Sequence, residues 1–282
     1  MSDRHAGAPR VVALGGGHGL AATLAAVRRY AGSVTAVVSV ADDGGSSGRL
    51  RQDLGIPAPG DLRRCLVALG DPRSAWTSYF EHRFSGGELG GHALGNVVIA
   101  GLASATGDFT AALDEAGRLL GCVGRVLPAA TVPVILTADA DGREVEGQVN
   151  VSRAGCISAV SLTPPDVPAP RAALEAIAAA DQVVLGPGSL FTSVLAAAIV
   201  PGIRAALAST TATKVYVCNL APQLPETEGF DVAAHVAALE AHGVVPDVVL
   251  CHPGGLALGQ PKVPVVEREV AADGEPGHDP VR

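Results

Sequence analysis

Apolar residues fall in short blocks divided by glycine-rich polar breaks, and the period inside each block assigns its structure. Val11–Leu14 is an apolar strand that meets Gly15-Gly16-Gly17-His18-Gly19. Leu20, Leu24 and Val27 then recur at helical spacing, which predicts a helix over 20–30. Val34–Val40 reads as a second buried strand, followed by the polar stretch Ala41–Arg51. Beyond Gly55–Asp61, helices are predicted from Asp61 as cap through Leu69, then over 75–83, 92–106 and 108–120. The span from about 57 to 121 is thus a helical insertion on a sheet. The period then changes: 132–137 and 144–151 are strand-like around an Asp141-Gly142 hairpin signal, and 156–163 adds a third strand. A helix over 171–180 leads to a strand at 182–185, a glycine turn at 186–189 and a helix start at Leu190. Strands at 214–218 and 247–250 flank a helix over 232–242. This alternation predicts an α/β chain, a mostly parallel central sheet flanked by helices, with a helical insertion and a small β-hairpin region. No repeat or low-complexity linker interrupts 1–282, so one domain is expected, with loose tails at 1–10 and 272–282.

Composition sharpens this picture. Hydrophobic residues make up 48% of the 282 but aromatics only 3%, so the core must be Val, Leu, Ile and Ala, which suits parallel strands under Ala-rich helices. A net charge of −8 argues against nucleic-acid binding by charge. Cys65, Cys122, Cys156, Cys218 and Cys251 are widely spaced and form no CxxC, so neither a zinc site nor a redox pair is expected. They read as small buried residues in a reducing compartment. The N-terminal segment lacks an apolar signal core, and the apolar runs are too short to span a membrane. A cytoplasmic protein without a membrane span is the expectation.

Candidate chemistry gathers in the breaks. Ala41–Arg51 packs two carboxylates (Asp42, Asp43), three flexible glycines (Gly44, Gly45, Gly48), two hydroxyls (Ser46, Ser47) and two cations (Arg49, Arg51) at a strand end, which suits a phosphate or nucleotide. The bland alternative is a polar turn with Asp as a cap. Gly15, Gly16, Gly17, His18 and Gly19 stand between strand and helix, a cradle for an anion at a helix N-terminus. No GK[ST] follows and Leu20 takes the third-glycine position, so this is neither a P-loop nor a good dinucleotide fingerprint. Packing glycines in a tight turn are the competing explanation. Gly186, Gly188 and Ser189, with Thr192 and Ser193 in the first turn, make a second anion-competent start, Ser189 acting as cap. Arg63 and Arg64 could reach a phosphate or lie solvated. His92 and Asn96 share one helical face, and Asn219 ends a strand.

Taken together these segments resemble the YvcK-like branch of the CofD-like proteins, known as gluconeogenesis factors. The resemblance runs from Val11 to about Pro253 through GGGHG at Gly15, VADDGGSSGRLR from Val40, APGDLRRCLVAL from Ala58, GHALGN at Gly91, GPGSLFTS at Gly186 and VCNL at Val217. It implies a Rossmann-like sheet with a helical insert, in a cytosolic protein that binds nucleotide sugars of the UDP-N-acetylglucosamine type. It also implies links to gluconeogenic growth, cell shape and peptidoglycan synthesis, and no firm enzymatic activity. The sister branch is the 2-phospho-L-lactate transferase of coenzyme F420 synthesis, a Mg²⁺-dependent enzyme. The stretches DDGGSSGRLR and PGDLRRC favour the first branch. The chain departs from the family at Ala221–Pro225, before Glu226 and Thr227, and at Val194, Leu195 and Ala196.

Two functions follow as expectations. In the first, a regulatory protein holds a nucleotide-sugar diphosphate on the N–H groups of Gly16, Gly17, Gly188 and Ser189, with Arg49 and Arg63 balancing charge. Asp42 or Asp43 accepts hydrogen bonds from sugar hydroxyls, and Asn96 and Asn219 read polar edges. A regulatory protein partner and a homo-oligomer remain open, and no cofactor is required. In the second, Asp42 and Asp43 hold Mg²⁺ in a phospholactyl transferase.

Overall fold

The computed structural model describes residues 7–272 and 277–281. The chain runs β1 (Arg10–Gly15), α1 (Gly17–Val27), β2 (Ser33–Val38), then five helices: α2 (Gly45–Leu54), α3 (Gly60–Leu69), α4 (Ala75–Glu81), α5 (Leu94–Thr106) and α6 (Phe109–Leu120). It continues through β3 (Arg125–Pro128), β4 (Ile135–Ala140), β5 (Arg143–Glu146), α7 (Gln148–Val151), β6 (Ile157–Thr163), α8 (Arg171–Ala179) and β7 (Gln182–Leu185). A turn of π-helix over Leu190–Leu195, extended by Ala196–Ala198, is α9. After it come α10 (Pro201–Ser209), β8 (Thr213–Val217), α11 (Val232–Ala241), β9 (Val248–Cys251) and β10 (Val265–Glu267).

Seven strands form a parallel sheet in the order β10-β9-β8-β7-β1-β2-β3, and three form an antiparallel sheet in the order β5-β4-β6. Central β1 pairs Leu14 with Val37 on one side and with Leu185 on the other. Its residues Val11, Val12, Ala13 and Leu14 are all buried, because a central parallel strand is covered on both faces. On one side the chain steps outward through β2 and β3, on the other through β7 to β10. Right-handed crossovers then place the connecting helices of the two halves on opposite faces. Accordingly α1 packs on β1, β2 and α3, whereas α8 packs on β1, β2, β3 and α10. The strand order reverses between β1 and β7, the position where open α/β sheets leave a crevice at the strand ends.

Several expected boundaries move. The stretch read as a loop from Ala41 to Arg51 turns helical at Gly45, so the helical crossover begins there and not at 57. The strand expected over 144–151 ends at Glu146, because Gly147 takes φ 94° and starts the short α7. The strand expected over 132–137 is shifted to Ile135–Ala140. β3, α10 and β10 carry too few periodic residues to be read from the sequence; β3 has four residues and ends in Pro128.

Of the expected loose tails, residues 1–6, 273–276 and 282 lie outside the described residues. The described parts return to the sheet: Arg10 pairs with Asp181, and the Asp279 N–H donates to the Val270 carbonyl at 2.8 Å. Cys65, Cys218 and Cys251 are buried as expected, Cys122 is half-buried, and Cys156 is exposed, a correction to the uniformly buried set. Burial pushes the Cys122 thiol up to about 11 and the Cys218 thiol up to about 12, so both stay protonated and unreactive at neutral pH. Among the described residues no single helix is long and apolar enough to cross a membrane.

Candidate functional site

The predicted site residues occupy the ends of β1, β2, β7 and β8, together with the start of the helical crossover. The glycine loop after β1 packs directly on the loop after β7. A Cβ on Gly19 would run into the Pro187 carbonyl, so this position requires glycine for close approach. The packing explanation for these glycines is therefore correct for part of the motif.

The α1 start already has an anion. Asp61 was expected to cap α3, but Pro59 takes that position and Asp61 lies in the first turn. Its carboxylate instead accepts the Gly17 N–H at 2.7 Å and pairs with Arg64. The Gly17 donor expected to hold a diphosphate is thus engaged within the chain, and Arg64 is committed as well.

The α9 start is filled in the same way. Ser189 caps it by accepting the Thr192 N–H at 3.1 Å, as expected. The Glu226 carboxylate also accepts from the Phe191 N–H at 2.9 Å, from the Thr192 N–H at 3.4 Å, and from the hydroxyls of Ser189 and Thr192. Glu226 is 4% exposed, so these donors are what make its burial tolerable. Its role was not anticipated. The only signal was a carboxylate inside the divergent loop after β8, about 35 residues from its partners in sequence. Ser189 and Thr192 therefore surround an internal carboxylate, while Gly186 lies against the Val217 carbonyl and Gly188 against Ser193 and the Gly16 carbonyl. Thr192, Ser193 and Asn219 are all buried.

The α2 start differs. Its N-cap is Gly44, and no side chain among the described residues caps it. Gly45 takes φ 46°, a conformation that favours glycine, where the helix opens. An α-helix leaves its first N–H groups without internal partners, so those of Gly45, Ser46 and Ser47 are available to an external anion. Gly45 and Ser46 line a cleft of about 1040 Å³, together with Asp43, Gly48 and Arg49, and Arg51 and Arg83 add positive charge. Arg49 is held over it by a 2.9 Å bond to the Gly90 carbonyl. The opposite wall is the small sheet and its turn, through Ile135, Glu146 and Gly147. Arg83 and Glu146 carried no sequence signal, since distant elements bring them in.

Behind the cleft, Ser46 Oγ lies 3.0 Å from His92 Nδ1 and accepts from Asn96 Nδ2 at 3.0 Å. His92 and Asn96 do converge, but on Ser46; both are buried and tie α2 to α5. Helix α5 starts at Leu94, so His92 precedes it. Burial, then the charge of Arg49, lowers the His92 pKa, leaving a neutral imidazole at pH 7. His18 and Arg63 lie apart from this cleft, in a smaller one of about 320 Å³.

The two aspartates face different elements. Asp42 accepts the Gly44 N–H at 3.0 Å, and its pKa is raised, first by burial and then, among smaller effects, by the charge of Asp61. Asp43 accepts the Val149 N–H at 2.9 Å and thereby holds the start of α7. Its other oxygen lies beside Gly147. The two carboxylates thus make their hydrogen bonds to different elements, Asp42 to the start of α2 and Asp43 to the start of α7. No group of three or more His, Cys, Asp or Glu suited to a metal occurs among the described residues.

Fold and site together define a Rossmann-like α/β protein with its polar loops gathered at the switch point of a parallel sheet. The family described as 2-phospho-L-lactate transferase CofD matches residues 11–266, and the chain belongs to it. It is 46% identical over 246 residues to a protein named gluconeogenesis factor from Halalkalibacterium halodurans, covering 85% of this chain and 76% of that one. It is 43% identical over 237 residues to the gluconeogenesis factor of Bacillus subtilis, covering 83% and 75%. A crystal structure of a UPF0052 family member from Bacillus halodurans superposes with a TM-score of 0.90 at 39% identity, over 96% of this chain and 95% of that one.

Proposed function

We propose that this chain is a cytosolic regulatory protein that binds a nucleotide sugar of the UDP-N-acetylglucosamine type and links it to gluconeogenic growth, cell shape and peptidoglycan synthesis. One observation carries the reading: no side chain among the described residues caps the first helical N–H groups of α2, Asp42 accepting from the preceding Gly44 N–H instead, and this start opens on a basic cleft of about 1040 Å³. The N–H groups of Gly45, Ser46 and Ser47 would receive a diphosphate oxygen, with Arg49, Arg51 and Arg83 balancing its charge. Asp43, at the rim, would accept from a sugar hydroxyl with the lone pairs that Val149 leaves free. A volume of about 1040 Å³ suits a ligand of this size. The relatives' name supports the gluconeogenic link. Signalling would require a protein partner that reads the occupied cleft.

The second reading is a phospholactyl transferase, favoured by the family's description. Against it stands the division of Asp42 and Asp43 between different elements.

The test is a calorimetric titration of UDP-N-acetylglucosamine, with GDP plus Mg²⁺ and NAD as parallel titrants. Micromolar binding of the UDP-sugar alone, about −8 kcal/mol, supports the regulator. Preference for GDP with Mg²⁺ replaces it with the transferase.

A further inference from the structure

The smaller cleft, between α1, α3 and the end of α4, has a charge imbalance that the main site does not use. It measures about 320 Å³ and is lined by His18, Ala21, Arg63, Arg64, Glu81 and Arg83. Arg63 is 5% exposed, yet its Nε has no hydrogen-bond partner among the described residues. Its other contacts are long: Nη1 lies 3.5 Å from the Phe80 carbonyl and 3.9 Å from Glu81, whose side chain is 61% exposed. Arg64 is neutralised by Asp61, but among the described residues the Arg83 side chain donates only to the Gly91 carbonyl. A buried guanidinium without a close anion is costly, and here Arg64 and Arg83 add like charge beside it.

We propose that this cleft is a second anion site, which takes the phosphoryl group of a small phosphorylated ligand. A phosphate dianion supplies acceptor oxygens to several guanidinium forks at once, which a monocarboxylate does not. The volume admits a phosphoryl group on a short carbon frame but is about a third of the main cleft. Arg83 lines both clefts, so an anion in one changes the field felt in the other. The site stands independently of the nucleotide-sugar reading.

The experiment is a calorimetric titration of inorganic phosphate, with acetate as comparator, into the full chain and the variants A21E, R63M and R49A. Ala21→Glu places a carboxylate on the half-buried face of α1 that lines the cleft, so it tests the site even if Arg63→Met fails to fold. Saturable phosphate binding that falls at least tenfold in A21E, survives in R49A and exceeds acetate binding is expected. UDP-N-acetylglucosamine affinity in A21E stays within about threefold of the unmodified chain. Absent phosphate binding, or equal binding by A21E, overturns the second site. Loss in R49A alone assigns the phosphate to the main cleft, which overturns this inference while leaving the nucleotide-sugar reading intact.

Discussion

The start of α9 and the start of α2 have the same sequence grammar: a strand, a glycine turn, and hydroxyls in the first helical turn. In the fold they differ completely. Glu226 fills the first with a buried carboxylate, as Asp61 does for the start of α1. The second is left open on a basic cleft. The comparison teaches that a glycine-rich helix start identifies an anion site without identifying whose anion occupies it. Only long-range contacts decide that.

The largest effect should come from emptying a filled start. Glu226→Ala leaves the buried Phe191 N–H and the Ser189 hydroxyl without their carboxylate acceptor, while the Thr192 N–H keeps the Ser189 oxygen, so stability should fall by about 3 kcal/mol in urea melts. A loss near zero would mean that Glu226 is not the anion of that start. Asp61→Ala should cost less, about 1.5 kcal/mol, because it removes one short N–H bond and a partly exposed partner of Arg64. The open start should respond in binding instead. Exposed Arg49→Ala should leave stability within about 0.5 kcal/mol but weaken UDP-N-acetylglucosamine about tenfold in calorimetry. A matching loss of stability would make it a structural residue.

Asp42 should show the smallest effect, with the opposite sign. Its folded pKa is raised above the unfolded value, so its contribution to stability is complete below the ordinary carboxylate range and declines as pH rises through the raised value. Asp42→Asn should therefore stabilise the ligand-free protein at pH 7 by about 0.5 kcal/mol. That gain should vanish in melts at acid pH. A constant difference across pH would show that Asp42 does not titrate in the fold.

Much of this was readable from residue order. Val11–Leu14 and Val34–Val38 announce themselves as doubly covered strands because they are apolar apart from the β-branched Thr35. The turns at Gly15 and Gly186 mark the strand ends that meet at the switch point. Helix α2 was hidden because Gly45, Gly48 and two serines are weak helix formers; it is held by its contacts with α5, including the bonds from Asn96 and to His92. Asp61 resembled a cap by position, yet its partner is Gly17, 44 residues earlier. Arg83 and Glu146 entered the cleft only through folding of the crossover and the small sheet. Local pattern reveals elements and turns, whereas the assignment of charges to helix starts is a tertiary property.

The most direct test of that assignment is to follow backbone amide resonances of the isotope-labelled protein as UDP-N-acetylglucosamine is added. The amides of Gly45, Ser46 and Ser47 should shift progressively and saturate, while those of Gly17, Phe191 and Thr192 hold their positions against Asp61 and Glu226. Saturable shifts at Gly17, Phe191 or Thr192 with an unmoved α2 start would contradict the account, because the ligand would then be displacing the internal carboxylates.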